Sequence, residues 1–185
     1  MTAPDLTSAK ARSKSCAAFV KDSKGATAVE FALVAAPFLA LIIALFQTFL
    51  VFFAQQLLET VASQSARLVM TGQVQTQNMD QATFKQQVCG NIRIFFDCNS
   101  LMVDLQVANS WTSTNTGMPT LTYDSNGNVS NSWQFNAGHA GDIVVLRVMY
   151  VWPVMLGPLG FNLSNLSTGN RLLMASAAFQ NEPSS

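Results

Sequence analysis

Few residues in this chain are equipped for chemistry, and the most conspicuous is an isolated acid. Glu30 stands in front of residues 31–54, FALVAAPFLALIIALFQTFLVFFA, where only Gln47 and Thr48 are polar. A carboxylate at the lip of a lipid-compatible run is costly, and its position asks for a named partner. Cys89 and Cys98 bracket GNIRIFFD without any further Cys or His at metal-ligand spacing, so they read as a disulfide rather than a zinc site. Closing so short a loop is worth on the order of 2–3 kcal/mol. His139 is the only histidine and lies in Gly138-His139-Ala140-Gly141, a loop signature. With no second histidine and no GxSxG sequence, a hydrolase triad has nothing to build on. Asp142 reads as a turn residue opening a strand. No glycine-rich phosphate loop follows a strand, and no basic–aromatic patch suggests nucleic acid. Neither catalysis nor a cofactor or metal is expected.

The element that must position Glu30 is a helix. At about 1.5 Å per residue, residues 31–54 span roughly 36 Å, against a hydrocarbon core of about 30 Å. Pro37 removes a backbone donor one-third of the way in and predicts a modest kink. Leu57, Leu58, Val61, Leu68 and Val69 continue at helical spacing with polar residues between them, and Thr71-Gly72 offers a stop. One helix is therefore expected, apolar all round in its first half and amphipathic in its second.

Beyond it, residues 73–79 look like a polar connection. Asp80 is placed to cap a short helix through about Val88, with Phe84 and Val88 on one face. From residue 101 the period changes to two. Leu101, Val103, Leu105 and Val107 alternate with Met102, Asp104, Gln106 and Ala108, the pattern of a half-buried strand. Residues 109–140 are rich in Ser, Thr, Asn and Gly, with two short strand candidates around Asn126-Gly127. Residues 142–152 form the strongest strand pattern, ended by Pro153, and residues 171–180 read as a last strand or a helix. Trp111, Trp133, Trp152 and Tyr150 are expected in the core or on a sheet face. There is no internal repeat. The fold class is α+β: a long N-terminal transmembrane helix running into a small antiparallel-sheet domain.

Charge sets the topology. The whole chain is formally neutral, but residues 1–24 carry five basic against two acidic side chains, a net of +3. Residues 55–185 carry five basic against seven acidic, a net of −2. Basic flanks stay cytoplasmic, so the N-terminus is expected inside and residues from about 55 onward outside. Cys16 then falls on the reducing side and Cys89 and Cys98 on the oxidising one. The domain plan is a leader at 1–25, a transmembrane helix at 26–54 and a periplasmic or extracellular domain at 55–185.

The apolar run is too long for a secretory signal core, and Phe52-Phe53-Ala54-Gln55-Gln56 is a poor cleavage site. A plain signal anchor explains length and charge asymmetry but not Glu30 or the Gly25 junction. Lys24-Gly25 followed by Ala26-Thr27-Ala28-Val29-Glu30-Phe31 resembles the processing site of type IV pilin-like precursors, and GATAVEFAL is most similar to TadE-like proteins, pseudopilins of the tight-adherence (Tad, Flp) pilus apparatus. VCG…FFDC, GDIVVLRVMYVWP and the closing RLLMASAAFQNEP resemble the periplasmic part of that family. The resemblance implies cleavage between Gly25 and Ala26 by a membrane aspartyl prepilin peptidase, and an assembly role for Glu30 and Phe31 at the head of the mature helix. It implies as partners that peptidase, other Tad pilins and pseudopilins, an inner-membrane assembly platform and the lipid bilayer. The small major Flp pilin is little more than a helix, so residues 55–185 argue against that role. The alternative from another class is an uncleaved, signal-anchored periplasmic binding domain.

The residues supply a physical reason for Glu30 beside the resemblance. After a cut at Gly25, the Ala26 α-amine and the Glu30 carboxylate, four residues apart, share one helix face. That amine is positive at neutral pH, and the helix N-terminus adds partial positive charge. Glu30 can pair with its own N-terminus or with that of a neighbouring copy.

Overall fold

The computed structural model describes residues 23–90, 92–155, 157 and 160–183. Of the expected leader at 1–25, residues 1–22, with Cys16, lie outside the described residues, and residues 23–25 are helical. Helix α1 runs unbroken over Ser23–Met70, 48 residues with Pro37 inside it. Gly72 follows with φ of 75°, a left-handed conformation open to glycine at little steric cost, and Thr71 N donates to Arg67 O at 3.0 Å. The polar connection contains one extra helical turn, α2 (Gln73–Thr76). Helix α3 (Gln81–Gly90) is capped as expected: Thr83 N donates to Asp80 Oδ1 at 2.8 Å, and Phe84 and Val88 are buried.

Three strands follow, β1 (Met102–Ala108), β2 (Ile143–Trp152) and β3 (Arg171–Gln180), in an antiparallel sheet of order β1-β2-β3. The ambiguity over residues 171–180 resolves as strand. Leu105 faces Leu146 in register, and Leu146 faces Ala177. A helix over this segment would give up ten paired positions against β2.

The second half of α1 lies on one face of the sheet. Leu58, Val61, Ala62, Ala66 and Val69 are buried against Val103, Leu105, Leu146, Val148, Leu173 and Ala175. Their three-and-four spacing is the helical period seen in the sequence. The buried stripe begins earlier than residue 55, because Val51 and Ala54 are also in this core.

The opposite sheet face departs from the half-buried expectation. Met102, Met149 and Leu172 form a second, smaller core, covered by Leu121, Val129, Trp133 and Leu166 from the long connections. Beside them Asp104 is 1% exposed and Arg147 is 7% exposed, although alternation placed Asp104 toward solvent. The two are cross-strand partners, and Arg147 Nε donates to Asp104 Oδ2 at 2.9 Å, with Nη2 donating to the same oxygen. Asp104 Oδ1 accepts from Gln134 N at 2.9 Å, and Gln106 Nε2 donates to Asp104 Oδ2 at 2.9 Å. The carboxylate thus fastens the covering segment to the sheet. Next to it, Leu105 N donates to Gln134 O and Asn136 N to Leu105 O, so the same segment covers the outer edge of β1.

The two strand candidates within 109–140 do not form strands. A single bridge joins Tyr123 and Val129, because Asp124 Oδ1 accepts the N–H groups of Asn126 and Asn128, both at 2.8 Å. A side chain that captures backbone donors in this way makes a turn and not a ladder. Trp111 also differs from expectation, being more than half exposed at the start of a single 3-10 turn, Trp111–Ser113.

Candidate functional site

The expected processing and assembly residues occupy the first turns of α1. Gly25 and Ala26 already have helical backbone, so the expected cut falls inside a helix and not in a loop. Ala26 and Glu30 are one turn apart on a shared face. Glu30 is exposed, and so are Val29, Phe31, Leu33 and Val34 around it, each more than half accessible. The side chains at Phe38, Leu41, Phe46, Phe49 and Phe52 continue this exposed apolar surface. Among the described residues, α1 is the one helix long and apolar enough to cross a membrane. Its two polar interruptions are treated differently. Thr48 Oγ1 donates to Ala44 O at 2.8 Å, whereas Gln47 turns toward an apolar pocket beside Trp152.

The disulfide lies at the other end of this surface. Cys89 and Cys98 are joined, with their Cα atoms 5.6 Å apart. The intervening chain is tied back on itself, with Ile92 N donating to Cys89 O and Phe96 N to Ile92 O. Ile92 and Phe96 point into the core, where Phe96 meets Tyr150 edge-on at 4.9 Å and Trp152 at 5.8 Å. Arg93, Ile94 and Phe95 form the exposed tip, and Phe95 packs edge-on against Phe53 of α1 at 5.3 Å. Behind the loop, Asp97 accepts from Ser100 Oγ and from Asn99 N. The Ser100 hydroxyl, chiefly, holds its carboxyl below the usual carboxylate range. Burial pushes Lys85, whose ammonium donates to Asn99 O at 2.8 Å, downward.

The structure therefore does not bring the two expected groups of site residues together. Glu30 and Phe53 are 23 residues apart on one helix, roughly 35 Å along its axis. That is about the thickness of a bilayer core.

His139 and Asp142 meet at a turn opening β2. Asp142 Oδ2 accepts from His139 N at 2.8 Å, and the imidazole, 95% exposed, reaches the same oxygen at 3.7 Å. The Asn181-Glu182 pair near the C-terminus closes the far end of the fold. Asn181 Nδ2 donates to Ala137 O and His139 O, and Glu182 N donates to Met70 O at 2.9 Å, the last residue of α1. Among the described residues, no group of three or more His, Cys, Asp or Glu is placed to hold a metal ion.

Two features escaped the sequence reading. The Asp104–Arg147 pair was legible only as one acid and one base on two separate strand patterns, with Asp104 on the side that alternation turns outward, and nothing in the spacing joined them. The exposed tip Ile94-Phe95 did carry a signal, two large apolar residues inside a Cys-bracketed loop.

A comparison with protein families bears on the long helix. Residues 25–67 match the family model for TadE-like protein. The match starts at Gly25, contains Glu30 and ends at Arg67, one turn before α1 stops. It is the family that the junction motif resembles, and it implies involvement in Tad pilus assembly. This TadE-like segment is all helix, so the C-terminal stretches read as similar to the same family lie outside it. Families of this kind are structural rather than enzymatic, and one N-terminal apolar helix suits single-pass membrane anchoring. Searches among curated proteins and solved structures returned no match.

Proposed function

We propose that this chain is a minor pseudopilin or assembly component of a Tad (Flp) type pilus. In this reading a prepilin peptidase cuts between Gly25 and Ala26, residues 1–25 are discarded, and the mature helix waits in the inner membrane. The leader side is cytoplasmic and the sheet domain periplasmic, as the charge asymmetry and the Cys89–Cys98 disulfide favour. Its partners are the peptidase, other Tad pilins and pseudopilins, and the membrane assembly platform. Its contribution to surface adhesion is indirect, through pilus biogenesis.

The observation that carries this is the family match over residues 25–67, which opens on the glycine of the expected cut. The helical backbone at the junction gives the glycine a physical use. A peptidase must draw its substrate out of the helix, and glycine weakens a helix by about 1 kcal/mol relative to alanine. Glu30 then finds the new Ala26 amine one turn away, or the amine of an adjoining copy. The second arrangement removes two unpaired charges from the lip of the membrane at once and favours lateral assembly.

Mass spectrometry of the membrane-bound protein tests maturation. An N-terminus at Ala26 is expected, and an intact leader in cells with an active prepilin peptidase refutes it. That second outcome favours the anchored binding domain. Glu30→Ala is expected to leave the cut intact and to impair pilus formation. Normal pili with Glu30→Ala refute the assembly role.

A further inference from the structure

The sheet domain does not stand clear of the apolar helix. Two of its loops reach back along it. The disulfide-closed tip presents Ile94, 88% exposed, and Phe95, whose ring sits on Phe53. The loop after β2 presents Met155, 71% exposed, and with Trp152, Pro153 and Val154 it walls an apolar pocket against Gln47, Leu50 and Val51 of α1. Exposed apolar side chains on soluble proteins are ordinary when scattered. These are not scattered: Phe95 packs on Phe53, which stacks on the exposed Phe49, and Met155 lines one pocket with Leu50 and Val51, so they extend the exposed apolar surface of α1 sideways onto the domain.

An independent measure gives the depth. With Glu30 at one surface of the bilayer, a hydrocarbon core of about 30 Å takes about 20 residues of helix. Counted from Phe31, the far boundary falls near Leu50. The two loops meet the helix at this level, the loop after β2 sharing a pocket with Gln47, Leu50 and Val51 and the disulfide tip packing on Phe53. Amphipathic aromatic side chains gather at this level of a membrane, and a long cationic side chain lodges its apolar stem there with its head among phosphates. Trp152 and the exposed Arg93 have those properties.

We infer that the underside of the domain is a lipid-docking surface. The disulfide-closed tip and the loop after β2 insert Ile94, Phe95 and Met155 into the outer interfacial zone of the bilayer, and Arg93 faces the lipid phosphates. The domain is thereby seated on the membrane at three places, the helix and two loops. This rests on α1 as a membrane anchor and not on the pilus role.

The test uses the full chain carrying Cys16→Ser, reconstituted at one copy per nanodisc of anionic and zwitterionic phospholipid. A single thiol is introduced by Met155→Cys and labelled with an environment-sensitive fluorophore, the native disulfide being left intact. Parallel samples carry Phe38→Cys in the apolar helix and Asn126→Cys at the distant Asp124 turn. The 155 label is expected to be blue-shifted and quenched by shallow spin-labelled lipids, with the 126 label unquenched. A water-like, unquenched 155 label beside a lipid-buried 38 label overturns the inference and leaves the anchor standing. If the 38 label is itself water-exposed, the anchor reading fails. Shielding of the 155 label only when several copies share a bilayer identifies a second copy as the occupant and also overturns the inference.

Discussion

The buried Asp104–Arg147 pair carries a quantitative prediction, because both partners are deep in the fold and nearly every bond they make is identifiable. Arg147→Met keeps the apolar stem but leaves the Asp104 carboxylate with only the Gln134 N–H and Gln106 amide as donors. Asp104→Leu leaves the guanidinium at a position that is 7% exposed. Removing one partner of a buried pair costs about 3–5 kcal/mol, since the remaining charge is uncompensated. The double variant is expected to cost less than either single one. No buried charge is left in it, and what remains is the lost acceptor for Gln134 N and for the part-buried Gln106 amide, about 1–3 kcal/mol for the backbone donor. Urea unfolding of the full chain in nanodiscs, followed by tryptophan fluorescence, measures all four corners of the cycle. Trp133 lies in the cover that Asp104 fastens, so its emission should shift red in the single variants before global unfolding. Single-variant losses below about 1 kcal/mol, or a double variant as unstable as the sum of the two, refute the reasoning.

Two further outcomes are expected. Reduction of the Cys89–Cys98 bond, or its replacement by alanines, should cost about 2–3 kcal/mol by loop-closure entropy. In detergent, where no bilayer shields the tip, proteolysis should then open first at Ile94-Phe95, which a reductant titration with a chymotrypsin-like protease detects. The Asp80 cap and the Asp97 turn should loosen in acid. Both carboxyls sit below their ordinary value of 3.8, chiefly through hydrogen bonds from Thr83 and Ser100 respectively. A depressed carboxyl stabilises the fold above that value and loses the contribution as pH falls through its folded one. Amide exchange at Thr83, Asn99 and Ser100, once corrected for intrinsic rates, should therefore be flat between pH 5 and 7 and faster below about pH 3.8.

What the sequence made legible was whatever repeats at a fixed period or sits beside a strong punctuator. Leu58, Val61 and Val69 recur at helical spacing, Gly72 ends their helix, and Asp80 opens the next. Pro153 closes β2. Residues 171–180 stayed ambiguous because Ala175, Ala177 and Ala178 suit either period, and only pairing with β2 decides them. Asp104 misled for a different reason. Alternation reports which face a side chain takes, not whether that face is covered, and the cover comes from residues 121–137 with no strong local pattern of their own. Of the site, the acid at the lip and the cysteine pair could be read directly. That the domain reaches down to Leu50 could not, since a loop leaves no periodic trace of what it will touch.

The unbroken length of α1 ties these observations into one mechanical statement. A signal anchor with a flexible linker would let the domain tumble independently of the membrane segment. Here there is no linker. Val51 and Ala54 belong at once to the apolar run and to the domain core, and the helix continues through them to Met70. The face on which Glu30 lies is therefore set, through helical phase, by the packing of Leu58, Ala62 and Val69 against the sheet. In the proposed assembly, an incoming copy that pairs with Glu30 also meets this domain in one orientation. With the proposed lipid docking, lifting the helix from the bilayer strips Ile94, Phe95 and Met155 from lipid in the same movement. Loops seated in this way would oppose extraction, and a neighbour that covered them would remove that opposition. In the proposed reading, the Ala26–Glu30 charge pair at one end of the helix and the apolar underside at the other are two halves of one assembly condition, about one bilayer apart.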